Sequence, residues 1–528
     1  MTVFRCPHCG AEIAYDPSKE LIVCEYCGSE ITVDDYKNYL DEEGLYQVNE
    51  LSCRQCGARI LSTGNTVATF CSFCGSSLVL DSRIREEKKP DYIIPFRFKH
   101  KKAYNIYREK IDSTLIAPNW MKDENGETMM RGIYMPFHIY RFTYKGDYEG
   151  EAYRHSVEKE GGVKYNVKRT YEIEAPVEID YDFIPADGAA SFPDSISRAV
   201  CPYSEKDMVE FELPYFAGYY ADGADVPESL YADKMENLVY TDIATSGTMD
   251  AGGLDVSASN VYDDIKLEKS VKTAMFPVWF LTFRNKDKVS YAAVNGQTGE
   301  IAADIPISFP RYLVASVIVA GLVSLFFNLF FTITPSSLMM SSSLLAFVSL
   351  VMANRLLNDT YRRKKHYDDA GFLGEDKETI KKPKNADTKD KVTALVFKVI
   401  GSFVLVIFVY LAAAVFGLVN VFLTFIIPAA TFIYLIVSSV IRLTPAGMIR
   451  KKRAPIWYKI FTFAKPLLAI ASCLYVSVMY PDTDEYAYLA AMFAILMIIL
   501  TAFDIVRAQN KFTMRDIPVF TNKRGGDR

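Results

Sequence analysis

The sequence predicts a multidomain chain: two small β ribbons, a β-rich α+β domain on the cytoplasmic side, and an α-helical transmembrane bundle. Three observations predict it. Two cysteine clusters of matching spacing lie within the first 80 residues. A stretch rich in Tyr, Phe, Val and Ile, broken by Gly, Asp and Pro, then runs to about residue 308. From 309 onward apolar runs dominate. These shifts place a first ribbon at 1–34, a linker at 35–50, a second ribbon at 51–82, the α+β domain at 83–308 and the membrane domain at 309–528. The averages over 528 residues, 50% hydrophobic and 23% charged, hide this split.

Cys6, Cys9, Cys24 and Cys27 form C-x2-C-x14-C-x2-C, and Cys53, Cys56, Cys71 and Cys74 repeat it. Each Cys-x-x-Cys turn can aim two thiolates at one ion. Two such turns complete the tetrahedral four-sulfur shell that zinc takes in structural sites. The eight cysteines are therefore the expected ligands of two structural Zn2+ ions, and each β ribbon is a zinc ribbon. Eight cysteines in register in two copies argue against reduced core thiols. The stretches between the pairs, "IAYDPSKELIV" and "ILSTGNTVATF", read as strand, turn, strand. Gly10, Gly28, Gly57 and Gly75 each follow a second cysteine, where a tight turn needs positive φ. His8 reads as a loop residue, since four thiolates already fill the shell. A closed shell leaves no position for a reacting water, so the sites are expected to be structural, not catalytic.

The cysteines also bear on location. Paired Cys-x-x-Cys implies a reducing compartment. "MTVFRCPHCG" lacks the apolar core of a signal peptide. The ribbons are accordingly expected in the cytoplasm. Cys201 and Cys473 stand alone, and Cys473 reads as a small packing residue.

Nucleic acid is disfavoured by charge. Residues 1–80 carry five basic and eleven acidic side chains, a balance of -6. Each zinc held by four thiolates adds about -2 more. Phosphate binding requires the opposite sign, and the formal net charge of the chain is also negative, -5. The basic stretch that follows, Arg83, Arg85, Lys88, Lys89, Arg97, Lys99, Lys101 and Lys102, reads as a solvated linker or an anionic-lipid contact.

In the α+β domain Pro90 and Pro95 bracket the entry and "KKAYNIYREKI" reads as a short helix. "GIYMPFHIYRFTYKGDYEGEAY" and "MFPVWFLTFRNKDKVSYAAVNGQTGEIAADIP" are hairpin candidates, and Asn295-Gly296 is a turn signal. Tyr134-Met135-Pro136-Phe137 and Met275-Phe276-Pro277-Val278 share a local pattern. The chain contains no G-x-S-x-G, Walker A, H-E-x-x-H or G-x-G-x-x-G motif. His138 lies in an aromatic strand and reads as a packed or edge residue. Residues 201–270 hold fifteen acidic and four basic side chains, which read as a solvated, protein-docking face.

The membrane domain is expected to hold about six helices, at 312–333, 335–353, 396–416, 421–441, 456–480 and 486–503. Val396 to Ile441 is a run of 46 residues. As one helix it would be about 69 Å long, so it must turn near Gly417 to Asn420. "NRLLNDTYRRKKH", "RLTPAGMIRKKRAP" and the C-terminal tail are basic, while "TPSS", "GLVN" and "PDTDE" carry no basic residue. This alternation predicts a multi-pass cell-membrane protein with both termini in the cytoplasm. Lys398, Lys465 and Asp504 fall near span ends, where they can snorkel, so no charged transport pathway is read from the spans.

The tandem ribbons, with "YIIPFRFKHKKAYNIYREKI", "GIYMPFHIYRF", "FPVWFLTFRNKDKVSYAAVNGQTGEIAADIPIS" and a helical membrane region, resemble one bacterial family, the YdjG-like zinc-ribbon membrane proteins. Its members are loosely labelled TFIIB-type zinc-ribbon proteins or mislabelled primosomal helicase-like. The resemblance covers roughly residues 1–335, and six spans exceed the number in shorter members. It implies a non-enzymatic membrane partner in envelope-stress systems, one that helps to place an SPFH (flotillin-like) or phage-shock-protein-A-like protein at the membrane. The eight cysteines carry over as metal ligands.

The expected function is thus a non-enzymatic adaptor or scaffold that faces the cytoplasm and recruits protein partners to the membrane. Two alternatives remain open at this point: a transporter or channel-like protein with a zinc-ribbon regulatory domain, and a nucleic-acid-binding membrane regulator.

Overall fold

The computed structural model describes residues 4–37, 45–62, 71–76, 81–122, 126–160, 163–245, 251, 253–316, 318, 322, 334–364, 369, 426–431, 434, 456–479 and 483–518. Three short strands, β1 (Ala14–Asp16), β2 (Leu21–Val23) and β3 (Glu30–Ile31), form the antiparallel sheet of the first ribbon. A second sheet of 13 strands holds everything else. Its members are β4 (Leu45–Ser52), β5 (Arg59–Ser62), β6 (Asp81–Lys88), β7 (Tyr92–Ile93), β8 (Arg131–Glu160), β9 (Val163–Asp187), β10 (Val209–Glu210), β11 (Tyr220–Ala221), β12 (Asp255–Val256), β13 (Glu268–Asn285), β14 (Lys288–Asn295), β15 (Ile301–Ala303) and β16 (Arg515–Asp516). The chain is a multidomain α+β protein, with two four-cysteine clusters near its N-terminus and one large sheet.

The heart of the sheet is β8–β13–β14. The apolar run "AMFPVWFLTF" of β13 has no polar alternation, which requires cover on both faces. On one face Trp279 and Phe283 pack against Phe96, Tyr107 and Trp120, in a core that continues to Phe4, Ile13, Tyr15 and Ile22 of the first ribbon. Phe276, Val278 and Phe280 face the other way and pack with Leu51, Ile60 and Phe73 of the second. The two modules therefore sit on opposite faces of one sheet. The shared Met-Pro and Phe-Pro patterns lie opposite each other on neighbouring strands, with Phe276 paired to Met135 and Pro277 to Tyr134.

Several sequence expectations change. "FRNKDKVSYAAVNGQTGE" is the predicted hairpin: β13 and β14 pair from Val278↔Asn295 to Asn285↔Lys288. The Asn295 turn closes on β15, but positive φ falls at Gly299, not at Gly296. Gly296 is required for space, since an added Cβ would lie 2.6 Å from the Phe96 ring.

"GIYMPFHIYRFTYKGDYEGEAY" is not a hairpin. It is part of one 30-residue strand, β8, which pairs with β9 as far as Glu160↔Val163. Gly146 and Gly150 lie inside the strand and make room for their neighbours. Tyr144 curls over Gly146 to donate to Asp147 O at 3.2 Å, and Tyr148 curls over Gly150 to donate to Glu151 O at 3.2 Å. A Cβ at Gly150 would lie 2.5 Å from Tyr148 Oη.

The linker expected at 35–50 includes the end of helix α1 (Val33–Lys37) and most of β4, which pairs with β6 over its whole length. The second ribbon is therefore part of the large sheet: β5 joins β11, and β11 joins β8. Helix α2 (His100–Ser113) realises the predicted short helix, burying Ala103, Tyr104, Tyr107 and Ile111. Helices α3 (Gly126–Met129), α4 (Asp194–Val200), α5 (Ser229–Thr245) and α6 (Ala258–Asp264) complete the domain. The last two cover one face of the β8–β9 ribbon.

Beyond residue 308 three long helices are described: α7 (Pro335–Lys364), α8 (Ile456–Met479) and α9 (Glu485–Thr513). Among the described residues, Pro335–Tyr361 and Glu485–Lys511 are long and apolar enough to cross a membrane, and Phe463–Met479 is a shorter apolar helix. The expected span 335–353 is longer, because the basic segment assigned to a loop continues the helix to Lys364. Of the span expected at 312–333, residues 312–316, 318 and 322 are helical and the remainder lies outside the described residues, as does all of 396–416. Of 421–441, residues 427–431 are helical.

Small side chains line the helix contacts. Ala346, Ala469, Cys473, Ala490 and Ala494 are buried together, so Cys473 is a packing residue. Leu489, Met492, Leu496 and Ile499 are exposed on α9. Lys465 and Asp504 do not snorkel separately; they pair between α8 and α9 at 2.5 Å.

Candidate metal centres

All eight predicted cysteines come together in two groups. Cys6, Cys9, Cys24 and Cys27 form one and Cys53, Cys56, Cys71 and Cys74 the other, with all sulfurs of a group within 4.8 Å of one another. The backbone of each Cys-x-x-Cys-Gly turn is the same. The N–H of Cys6 donates to Ala11 O and that of Gly10 to Cys6 O, at 2.7 and 2.8 Å. The turns starting at Cys24, Cys53 and Cys71 repeat both bonds at 2.8–2.9 Å. Gly10, Gly28, Gly57 and Gly75 have φ of 74°, 72°, 77° and 65°, a region where a side chain is strained.

Sulfur separations test the fit of a metal. Cys6–Cys27 and Cys9–Cys24 lie 3.6 Å apart, and Cys53–Cys74 and Cys56–Cys71 lie 3.7 Å apart. A tetrahedron with metal–sulfur bonds of ~2.3 Å has edges of ~3.8 Å. A disulfide would need ~2.05 Å. Both groups thus fit one tetrahedral metal ion each.

The surroundings of the two sites differ. In the first, Cys9 and Cys27 are exposed. Ser29 Oγ lies 3.1 Å from Cys6 Sγ and 3.2 Å from Cys27 Sγ. Its hydroxyl holds the Cys6 thiol down to about 6 and also lowers Cys27, which favours the thiolate a metal requires. In the second site all four cysteines are buried. Tyr291 donates to Phe73 O at 2.8 Å, Thr282 donates to Ser72 O, and Arg284 donates to Gln55 Oε1 at 3.2 Å. The second site is thereby bonded into β13 and β14. Sequence reasoning did not single out Ser29, although a small hydroxyl just after Cys27-Gly28 is a readable signal.

The first ribbon is docked by polar contacts at its rim. The Tyr15 N–H donates to Ala217 O at 3.0 Å. Lys37 pairs with Glu212 at 2.5 Å, Lys99 with Asp16 at 2.6 Å and Arg97 with Glu20 at 3.1 Å; Arg97 also pairs with Asp207. Part of the basic stretch before α2 therefore serves an internal interface with the acidic ribbon. His138 is buried, as expected of a packed residue, with Nε2 2.7 Å from Val226 O.

No protein-family model and no solved structure matches the chain. Over 233 residues the chain is 25% identical to the uncharacterized protein YdjG of Bacillus subtilis (strain 168), a match that spans 43% of this chain and 67% of that relative.

Proposed function

We propose that this protein is a non-enzymatic, zinc-loaded membrane adaptor, in which the two ribbons and the large sheet form a rigid protein-binding unit carried on a helical anchor. The observation that carries this reading is the join between sheet and helices. The chain leaves the sheet after β15, which ends at Ala303, is held by the Ser308 N–H donating to Ile116 O at 2.8 Å, and returns at Arg515, where β16 pairs with β14. A load placed on the sheet would pass directly to the first and last helices. Two closed four-thiolate shells on opposite faces of that sheet suit zinc in a stiffening role. The helices support an anchor because alanines supply much of their buried contact while many large apolar side chains, Leu489, Met492, Leu496 and Ile499 among them, face outward.

The same join supports a topology. Leaving and returning on one side requires an even number of crossings. Six spans with both termini in the cytoplasm satisfies it. The resemblance suggests an SPFH (flotillin-like) or phage-shock-protein-A-like partner. The test is purification in mild detergent after crosslinking in cells. Stoichiometric recovery of such a partner, lost on deleting residues 1–82, supports the adaptor. Recovery of the chain alone overturns it.

A second reading, a transporter with a regulatory zinc-ribbon domain, is favoured by the Lys465–Asp504 pair between two apolar helices. Solute flux in proteoliposomes, abolished by Asp504→Leu, would support that reading.

A further inference from the structure

Past Thr143, its last rung with β13, β8 continues to Glu160 with only β9 and the short β12 beside it. At ~3.3 Å per residue this ribbon is over ~50 Å long. One of its faces is closed by α5 and α6, burying Tyr148, Ala152, Ala175 and Val177. Among the described residues nothing packs on the other face, and its rungs follow an unusual order.

Rungs Glu149–Glu174 and Glu151–Glu172 set carboxylate against carboxylate. Tyr153–Thr170 comes next, then His155–Lys168 and Val157–Asn166. Since facing residues on alternate rungs share one side of a ribbon, these five rungs lie on the same face. Glu149, Glu151, Glu172, Glu174, His155 and Lys168 are exposed. Nearer the sheet the charges pair normally, as in Lys145–Glu178 at 2.9 Å. Like charges directly opposite destabilise a ribbon. Here two acidic rungs each repel internally, and a neutral rung separates them from Lys168 and His155.

We propose that this face binds a second copy of itself. A two-fold axis through the Tyr153–Thr170 rung would lay Glu151 and Glu172 of one copy on His155 and Lys168 of the other, and the reverse contact forms at the same time. That reciprocity is what a two-fold interface demands. Glu172 then meets Lys168 and Glu151 meets the His155 imidazole, while the Glu149–Glu174 rung lies over Val157–Asn166. Val157, 63% exposed, adds apolar surface on the same face. A nucleic acid or an anionic bilayer fits less well. Either is larger than the ~13 Å between Lys168 and the acidic rungs, so binding there would also lay its phosphates directly against the glutamates. The proposal is independent of the adaptor reading.

The test is sedimentation of the full chain in mild detergent over a range of protein and salt concentrations. The wild-type protein is expected to dimerise, less tightly at high salt. The exposed-site variants Glu151→Lys/Glu172→Lys and His155→Glu/Lys168→Glu should each self-associate on the order of tenfold more weakly or worse. Mixed in equal amounts, they should form a heterodimer at least as tight as wild type. A monomeric wild type at every concentration overturns the proposal. So does a dimer unmoved by both variants, or binding of duplex DNA or anionic vesicles that competes with dimer formation.

Discussion

Ile307 and Asn510, 203 residues apart, hold each other by two hydrogen bonds: the Ile307 N–H donates to Asn510 Oδ1 at 2.6 Å, and Asn510 Nδ2 donates to Ile307 O at 2.9 Å. The amide supplies one acceptor and one donor, as a neighbouring strand would, and so ties α9 to the segment that leads out of the sheet. Asn510→Leu leaves both Ile307 groups unpaired and should cost about 1–3 kcal/mol. Amide exchange at Ile307 and in β16 should quicken, while exchange in the first ribbon should not change. Equal exchange in variant and wild type would refute this role.

The two metal sites should separate on chelation. Exposed Cys9 and Cys27 predict fast loss of one equivalent of zinc; the buried second set predicts slow loss of the other. Cys9→Ser should lower zinc content by one and loosen only the first ribbon. Cys56→Ser should also remove one equivalent but destabilise the whole sheet, since its site shares a core with Phe276, Val278 and Phe280. Metal analysis with hydrogen exchange distinguishes the two; equal release rates from both sites would be the contrary result.

Lys465 and Asp504 are partners between apolar helices, so removing one strands the other. Lys465→Leu or Asp504→Leu should each destabilise the detergent-solubilised protein by about 3 kcal/mol, and the double variant should recover most of the loss. Additive effects in a double-mutant cycle would show that the pair is not coupled.

Asp187 predicts a pH dependence. Burial pushes its carboxyl well above the ordinary carboxylate range, against the Ala189 N–H that lowers it, and Asp194 and Asp222 add to the rise. Because the folded value exceeds the unfolded one, the native state holds the proton more tightly. Its contribution is full below the unfolded pKa of about 4 and is lost as pH rises toward the folded value. Asp187→Asn keeps an acceptor for Ala189 without a titrating charge. The variant should gain stability relative to wild type as pH rises from 5 to 8 in parallel unfolding curves. A constant difference would disprove the buried titration.

Topology is open to fusion reporters. Alkaline phosphatase should be active when fused after Thr334 or Thr483 and inactive after Arg528, where green fluorescent protein should fluoresce. The opposite pattern would invert the membrane assignment.

Much of the site was legible because its chemistry is local. Four cysteines and two glycines dictate each cluster within some 22 residues, and every one of the four turns has the expected positive φ. The β13–β14 hairpin was legible too, since an unbroken apolar run followed by Asn-Lys-Asp-Lys leaves little choice. The long ribbon was not. Gly146 and Gly150 carry the same composition signal as a turn, and only the Tyr144 and Tyr148 rings folded over them reveal that they are strand glycines. The strand in the supposed linker was hidden for a related reason: "LYQVNELS" alternates weakly, and its partner β6 lies some 30 residues on.

The two four-cysteine sites, the β-rich character of the domain and the apolar helices follow from local patterning, because ligand spacing, hydrophobic runs and turn chemistry act over a few residues. Folding adds that the ribbons lie on opposite faces of one sheet, that β16 returns to it, that Lys465 meets Asp504, and that the acidic rungs share a face of the β8–β9 ribbon with Lys168. Those relations join residues that are distant in the chain, and they are set by which surfaces can be buried together.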